Sequence, residues 1–120
     1  MANNLNKQYR NVALSSTADL VATGNNNLIA WNIINPNDAA VYVKFYNAAA
    51  ANDVTVGTTT PVKTLFIPAT GTALLSNEEY LQNGFNLGIV VACVTELDDS
   101  ETTAPTKAIY CELQYSNNPQ

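Results

Sequence analysis

The sequence predicts an all-β protein: a single antiparallel β-sandwich of jelly-roll or immunoglobulin-like type, with seven or eight strands. Three observations predict it. Period-two alternation of apolar and polar residues recurs in short runs, and clusters of Gly, Asn and Pro separate those runs. Helical periodicity is nearly absent. At 120 residues and 47% hydrophobic composition the chain has enough apolar material for one core and no more. No linker and no repeat of fixed period divides it. The expected organisation is a polar N-terminal arm over 1–11, a sandwich over 12–116 and a short polar tail over 117–120.

In order along the chain, a first weak strand is expected within 12–22, and Gly24 with Asn25 to Asn27 makes a turn because Gly and Asn accept positive φ at least cost. LIAWNIIN, 28–35, alternates strongly. Ile29, Trp31 and Ile33 share one face and are expected in the core, opposite Leu28, Ala30, Asn32 and Ile34. Asn35-Pro36-Asn37-Asp38 is a turn that leads into AVYVKFYN, 40–47, so 28–47 should form a hairpin. In its second strand Val43 and Phe45 join Val41 on the core face, and Tyr42, Lys44 and Tyr46 face the other way. The stretch 48–60 is a connecting loop with room for one helical turn at its alanines.

VKTLFIP, 62–68, is the next strand, ended by Pro68, and TALLS follows after Gly71. Asn77 before Glu78 and Glu79 has the form of an N-cap with first-turn acids, predicting a short helical turn before Gly84. Two long strands, 85–95 and 108–115, close the chain around an acidic, Thr-rich loop.

The composition excludes several chemistries. The chain has no His and two Cys, so the imidazole and thiolate sets of zinc, copper and non-haem iron sites cannot form within it. The same lack removes His-based triads and the commonest neutral-pH general base, and no phosphate-binding glycine loop is present. Neither an enzyme nor a cofactor is expected. Net charge is −5, with five Lys and Arg in all, which argues against nucleic acid. That charge is uneven: 1–77 sums to +1 and 78–120 to −6. No apolar run reaches the length of a membrane span or a secretory h-region, so neither membrane association nor signal-directed secretion is expected, and synthesis in a reducing cytoplasm is.

Cys93 and Cys111 fall in phase with the apolar faces of their strands. They are either small buried hydrophobes or, if the strands pair as a hairpin, partners in a cross-strand disulfide. Glu96, Asp98, Asp99 and Glu101 gather four carboxylates in six residues, but without the spacing or glycine of a calcium loop, and a solvated acidic tip is the expectation; no metal ligands are assigned. Tyr42, Lys44 and Tyr46, on the face away from Val43, and Lys7 and Arg10 in the polar arm, are the candidate interface residues, the tyrosines because interfaces favour Tyr and the arm residues because of the arm's polarity.

Tyr42, Lys44 and Tyr46-Asn47, then Val56-Gly57-Thr58, Thr60-Pro61-Val62 and Ile67-Pro68, follow one another in a pattern that resembles small structural proteins of tailed bacteriophages. The later glycine-containing strand NGFNLGIVVACV, the Asp/Thr loop and the closing strand AIYCELQY extend the resemblance over about 28–115. It implies a β-sandwich virion protein, foremost a capsid decoration or cement protein, and alternatively a head-fibre or tail module recognising host glycan. It implies the major capsid protein as partner and self-association as a trimer or dimer, and it brings no catalytic residues. The first 27 residues lie outside it.

Overall fold

The alternating runs do form strands. The computed structural model describes residues 6–75 and 85–117, and within them eight strands are present. They are β1 (Asn6–Leu14), β2 (Asp19–Thr23), β3 (Asn26–Ile34), β4 (Val41–Asn47), β5 (Lys63–Ile67), β6 (Thr72–Leu75), β7 (Gly88–Val94) and β8 (Ile109–Asn117). A single 3₁₀ turn, Ala51–Asp53, lies in the alanine-rich connection. The N-cap at Asn77 lies outside the described residues.

Two four-stranded antiparallel sheets result, ordered β1-β8-β3-β6 (sheet A) and β2-β7-β4-β5 (sheet B). The chain pairs β1 with β8, β2 with β7, β3 with β6 and β4 with β5. That is one long hairpin, closed between β4 and β5, whose successive rungs alternate between two sheets. This double Greek key is a jelly roll, and it decides between the two sandwich types that the periodicity left open.

Three expectations are corrected. The N-terminal arm is a strand from Asn6 onward: β1 is paired along β8 from Asn6↔Ser116 to Leu14↔Ile109. Its polarity reflects an edge position, where solvent reaches one side of the strand. The 28–47 hairpin does not form, because β3 and β4 belong to different sheets. The corner between them is held by two buried asparagines. Asn35 Nδ2 donates to Ala39 O and Pro68 O at 2.9 Å each, and its Oδ1 accepts from Asn37 N and Nδ2 at 2.9 Å. Asn37 in turn exchanges hydrogen bonds with the backbone of Lys107. Turn-forming residues thus also knit three loops at one end of the sandwich. For the same reason β7 and β8 are not a hairpin, so the cross-strand geometry that a disulfide needed is absent.

The core lies between the sheets and contains Ile33, Val43, Phe45, Cys93 and Cys111 with Leu14, Leu28, Phe85 and Leu113. Trp31 is half-buried and packs against this cluster, its ring 6.5 Å from that of Phe45. Ile29 is buried but outside the cluster. The reason is a bulge: Leu28 pairs with Tyr115 and Ala30 with Gln114, leaving Ile29 as the extra residue. The bulge resets the alternation, so that Leu28 faces inward together with Trp31 and Ile33.

Candidate functional site

The outer face of sheet B holds most of the residues that sequence reasoning singled out. Along β4, Tyr42, Lys44 and Tyr46 point away from the core, as the alternation requires. They do not form an exposed row. Lys44 is 1% exposed and Tyr46 0% exposed, because two long loops fold back across this face. The 48–61 loop builds a second apolar cluster there, with Ala48 and Val54 over Tyr46, Val90 and Ala92. The 95–107 loop crosses above Lys44, whose Nζ donates to Leu97 O at 3.1 Å and to Asp98 O. Lys44 and Tyr46 are therefore withdrawn as surface contacts: one anchors the acidic loop and the other roots the loop cluster.

The two loops also touch each other at Gly57. Its φ of +93° lies in the left-handed region, and a Cβ there would overlap Thr102 Cγ2. Within the acidic loop Glu101 accepts from Thr95 Oγ1 at 3.0 Å and Thr103 N at 3.2 Å, and bonding from Thr103 and Thr95 holds its carboxyl below the ordinary range. Glu96, Asp98 and Asp99 remain exposed. The loop is thus a folded-back cover, its backbone turned to an internal cation and its Glu96, Asp98 and Asp99 side chains to solvent. Among the described residues no three His, Cys, Asp or Glu side chains come together as a metal-binding group.

Tyr46 Oη finds no hydrogen-bond partner among the described residues. Burial and the Asp99 carboxylate raise its pKa. Tyr42 is different: it is half-buried and lies 5.6 Å, ring to ring, from Phe66 on the edge strand β5. Phe66 is 58% exposed, and Val62 and Leu97 are exposed as well. Phe66 and Val62 lie on and just before β5, whereas Leu97 belongs to the covering 95–107 loop itself. Phe66 had no separate signal in the sequence, since KTLFI alternates equally well with either face inward.

Lys7 and Arg10 are exposed on β1 but make no joint patch, because three residues apart on a strand places them on opposite faces. Arg10 lies over the Tyr110 ring at 5.4 Å, on the outer face of sheet A. That face is a polar ladder: Gln8 Nε2 donates to Glu112 at 3.0 Å and Asn32 Nδ2 at 3.4 Å. Along the inner side of the β1 edge, Tyr9 Oη donates to Asp19 of β2, and Asn11 Nδ2 donates to the same carboxylate at 3.2 Å. This network joins one edge of sheet A to the facing edge of sheet B. Burial, then the Asp19 hydrogen bond, pushes the Tyr9 phenol well above its ordinary range.

Cys93 and Cys111 are free thiols in the core. Facing sheets lie about 10 Å apart, beyond the Cα separation a disulfide spans. Burial pushes both thiols up to about 12, with Cys93 adding to the rise at Cys111. They are packing groups of low reactivity. A cleft of about 210 Å³ opens beside the asparagine corner, lined by Asp38, Val41, Thr95, Pro105 and Lys107 among others.

No protein-family model, curated protein or solved structure matches the chain. No helix among the described residues is long and apolar enough to cross a membrane.

Proposed function

We propose that the protein is a non-enzymatic virion structural protein that decorates the outside of a tailed-phage head and braces contacts between capsomers. The observation that carries this reading is the coincidence of the phage-like pattern with a jelly roll, an architecture shared by viral capsid and lectin domains. The pattern's residues fall on one structural unit. Tyr42, Lys44 and Tyr46 lie on β4, Gly57 joins the two covering loops, and Ile67-Pro68 ends the edge strand β5. What the pattern specifies is therefore a covered sheet and the strand that lies at its edge among the described residues, which suits a protein that acts by presenting surfaces. A cement protein repeats one modest contact over many symmetry-related positions, so the shell gains by multivalency.

Binding to undecorated, expanded capsids tests the reading. Saturable co-sedimentation with a defined copy number per capsomer is expected, and no association at micromolar concentration removes it. The half-buried Tyr42 ring and the exposed Phe66 ring beside it favour one second reading, a tail or fibre module that stacks aromatic faces on host glycan. Binding to host cells that is lost in Tyr42→Ala, without binding to heads, would select it.

A further inference from the structure

The two outer faces of the sandwich differ in charge. The loops that cover sheet B carry Asp53, Glu96, Asp98, Asp99 and Glu101, and Lys44 is buried beneath them. The outer face of sheet A presents, among the described residues, one base and one acid: Arg10 of β1 and Glu112 of β8, which stand directly opposite each other in the register. Two copies of a chain with net charge −5 repel on approach, and a charge-balanced face is where they can meet. Two copies joined there carry their acidic loops outward on opposite sides.

Across β1 and β8 the outward side chains pair by kind. Gln8 stands opposite Gln114 and Arg10 opposite Glu112, and the bulge between Asn11 and Leu14 leaves Val12 and Ala13 opposite Tyr110. Gln8, Arg10, Val12 and Gln114 are exposed, and Tyr110 and Glu112 are half-buried. A two-fold axis parallel to β1 and β8, midway between them and in the plane of contact, would set each of these residues against the second copy's version of its own cross-strand partner. Amide then meets amide, guanidinium meets carboxylate and Val12 meets Tyr110, each twice. Such an axis also keeps the strands of the two copies aligned, an arrangement that packed sheets adopt. The carboxylate is prepared for this contact. Gln8 Nε2 and Asn32 Nδ2 donate to different oxygens of Glu112, at 3.0 Å and 3.4 Å, which holds the group in place and leaves about half of its acceptor positions open. Arg10 of the same chain is engaged elsewhere: its Nε donates to Tyr110 Oη at 3.4 Å, and its guanidinium lies over that ring.

We infer that the outer face of β1 and β8 is a self-association surface, on which a second copy of this chain docks about a two-fold axis with Arg10 of each copy on Glu112 of the other. Val12 and Tyr110 supply the apolar contact, and the reciprocal charge pair fixes the register and rejects the acidic loops as partners. The inference does not rest on the shell reading above.

Sedimentation of the full chain over a concentration series tests this with no capsid present, so its failure leaves the shell reading standing. The contact is far smaller than a standard interface, and the parent is expected to pass from monomer to dimer at about 0.1 mM, with the dimer weakened by salt of about 0.5 M. Arg10→Glu and Glu112→Arg are each expected to stay monomeric to at least about tenfold higher concentration, while melting within a few degrees of the parent because neither residue belongs to the core. The first variant is anionic at both positions and the second cationic at both, so an equimolar mixture of the two is expected to dimerise again, which damage within either chain would not allow. Arg10→Gln, a milder change at an exposed position, is expected to weaken the dimer by about tenfold and supplies the test with Arg10→Glu if Glu112→Arg does not fold. A parent that remains monomeric to about 1 mM, a dimer that the Arg10 variants leave intact, or a mixture of folded variants that stays monomeric overturns the inference. Binding of a monomeric parent to heads or to host cells that is lost in Arg10→Glu assigns the face to a different partner and overturns it as well.

Discussion

The last two strands in the chain, β7 and β8, have similar lengths and both cross the middle of a sheet, yet their environments differ. All seven residues of β7 are buried, whereas β8 alternates buried Ile109, Cys111 and Leu113 with half-buried Tyr110 and Glu112 and exposed Gln114. The difference lies in what covers each sheet. Sheet B has the core on one side and the 48–61 and 95–107 loops on the other; the outer face of sheet A meets solvent through a polar ladder. Sequence follows from this: GIVVACV is a continuous apolar run of the kind a doubly covered strand needs, and IYCELQY alternates as a singly covered one does. A cover made of loops requires anchors, and Lys44 and Tyr46 supply them. In one molecule the same fold thus has a face closed by its own loops and a face left to water.

Removing an anchor should break this contrast most severely. Lys44→Ala deletes a donor to two carbonyls and is expected to cost about 3 kcal/mol in urea unfolding, with Lys44→Met, which keeps the stem, costing about half as much. The matching change on the solvated face, Glu112→Ala, should cost about 0.5 kcal/mol or less. Equal losses at the two sites would show that the loops do not act as a cover. Next in size, Gly57→Ala should destabilise by about 2 kcal/mol, because it adds an overlap with Thr102 to the cost of a positive φ. Gly24→Ala, at a similar φ of +94° but in open space, should cost about 1 kcal/mol. Thermal unfolding of the pair separates loop contact from backbone strain.

The thiols sharpen the comparison through pH. Each has a folded-state pKa near 12 against 9 for the free group, so the folded state holds its protons more tightly. Their contribution is intact below about pH 9 and is lost as pH rises toward 12, amounting to about 1 kcal/mol per thiol at pH 10. The Cys93→Ala, Cys111→Ala double variant should flatten the decline between pH 9 and 11 in denaturant titrations. The smallest effect is expected at Tyr46→Phe. Since its hydroxyl has no described partner, removing it should leave stability unchanged or raise it by less than about 1 kcal/mol, whereas a loss of 2 kcal/mol or more would reveal a hidden partner.

Much of the fold was legible in local pattern, and less of the site was. Alternation located β4, β5 and β8 within a residue or two and β7 within three, and placed Val43, Phe45, Cys93 and Cys111 inside. Ile29 is buried, as expected, but a bulge breaks the period of two and takes it out of phase with Trp31 and Ile33, and no residue type marks a bulge of this kind. It gave Tyr42, Lys44 and Tyr46 a common outward face, which is correct for the strand. It could not show that loops 48–61 and 95–107 return over two of the three, since a polar residue outside a sheet normally meets water. The acidic loop was visible as a charge cluster, but its inward partner, Lys44, lies more than fifty residues away along the chain.

What the sequence alone determined about this protein is the class: short alternating runs, turn clusters and one core's worth of apolar residues can be satisfied only by stacked β-sheets. It also excluded imidazole chemistry outright, since the chain contains no histidine. Only the tertiary structure decided the jelly-roll order, the inclusion of the polar arm as an edge strand, and which outward side chains are free. Period-two alternation reports which way a side chain points relative to its own strand and carries no information on what lies opposite it. Strand pairing and loop cover are long-range contacts, and they settle whether an outward tyrosine or lysine becomes a surface or a second core.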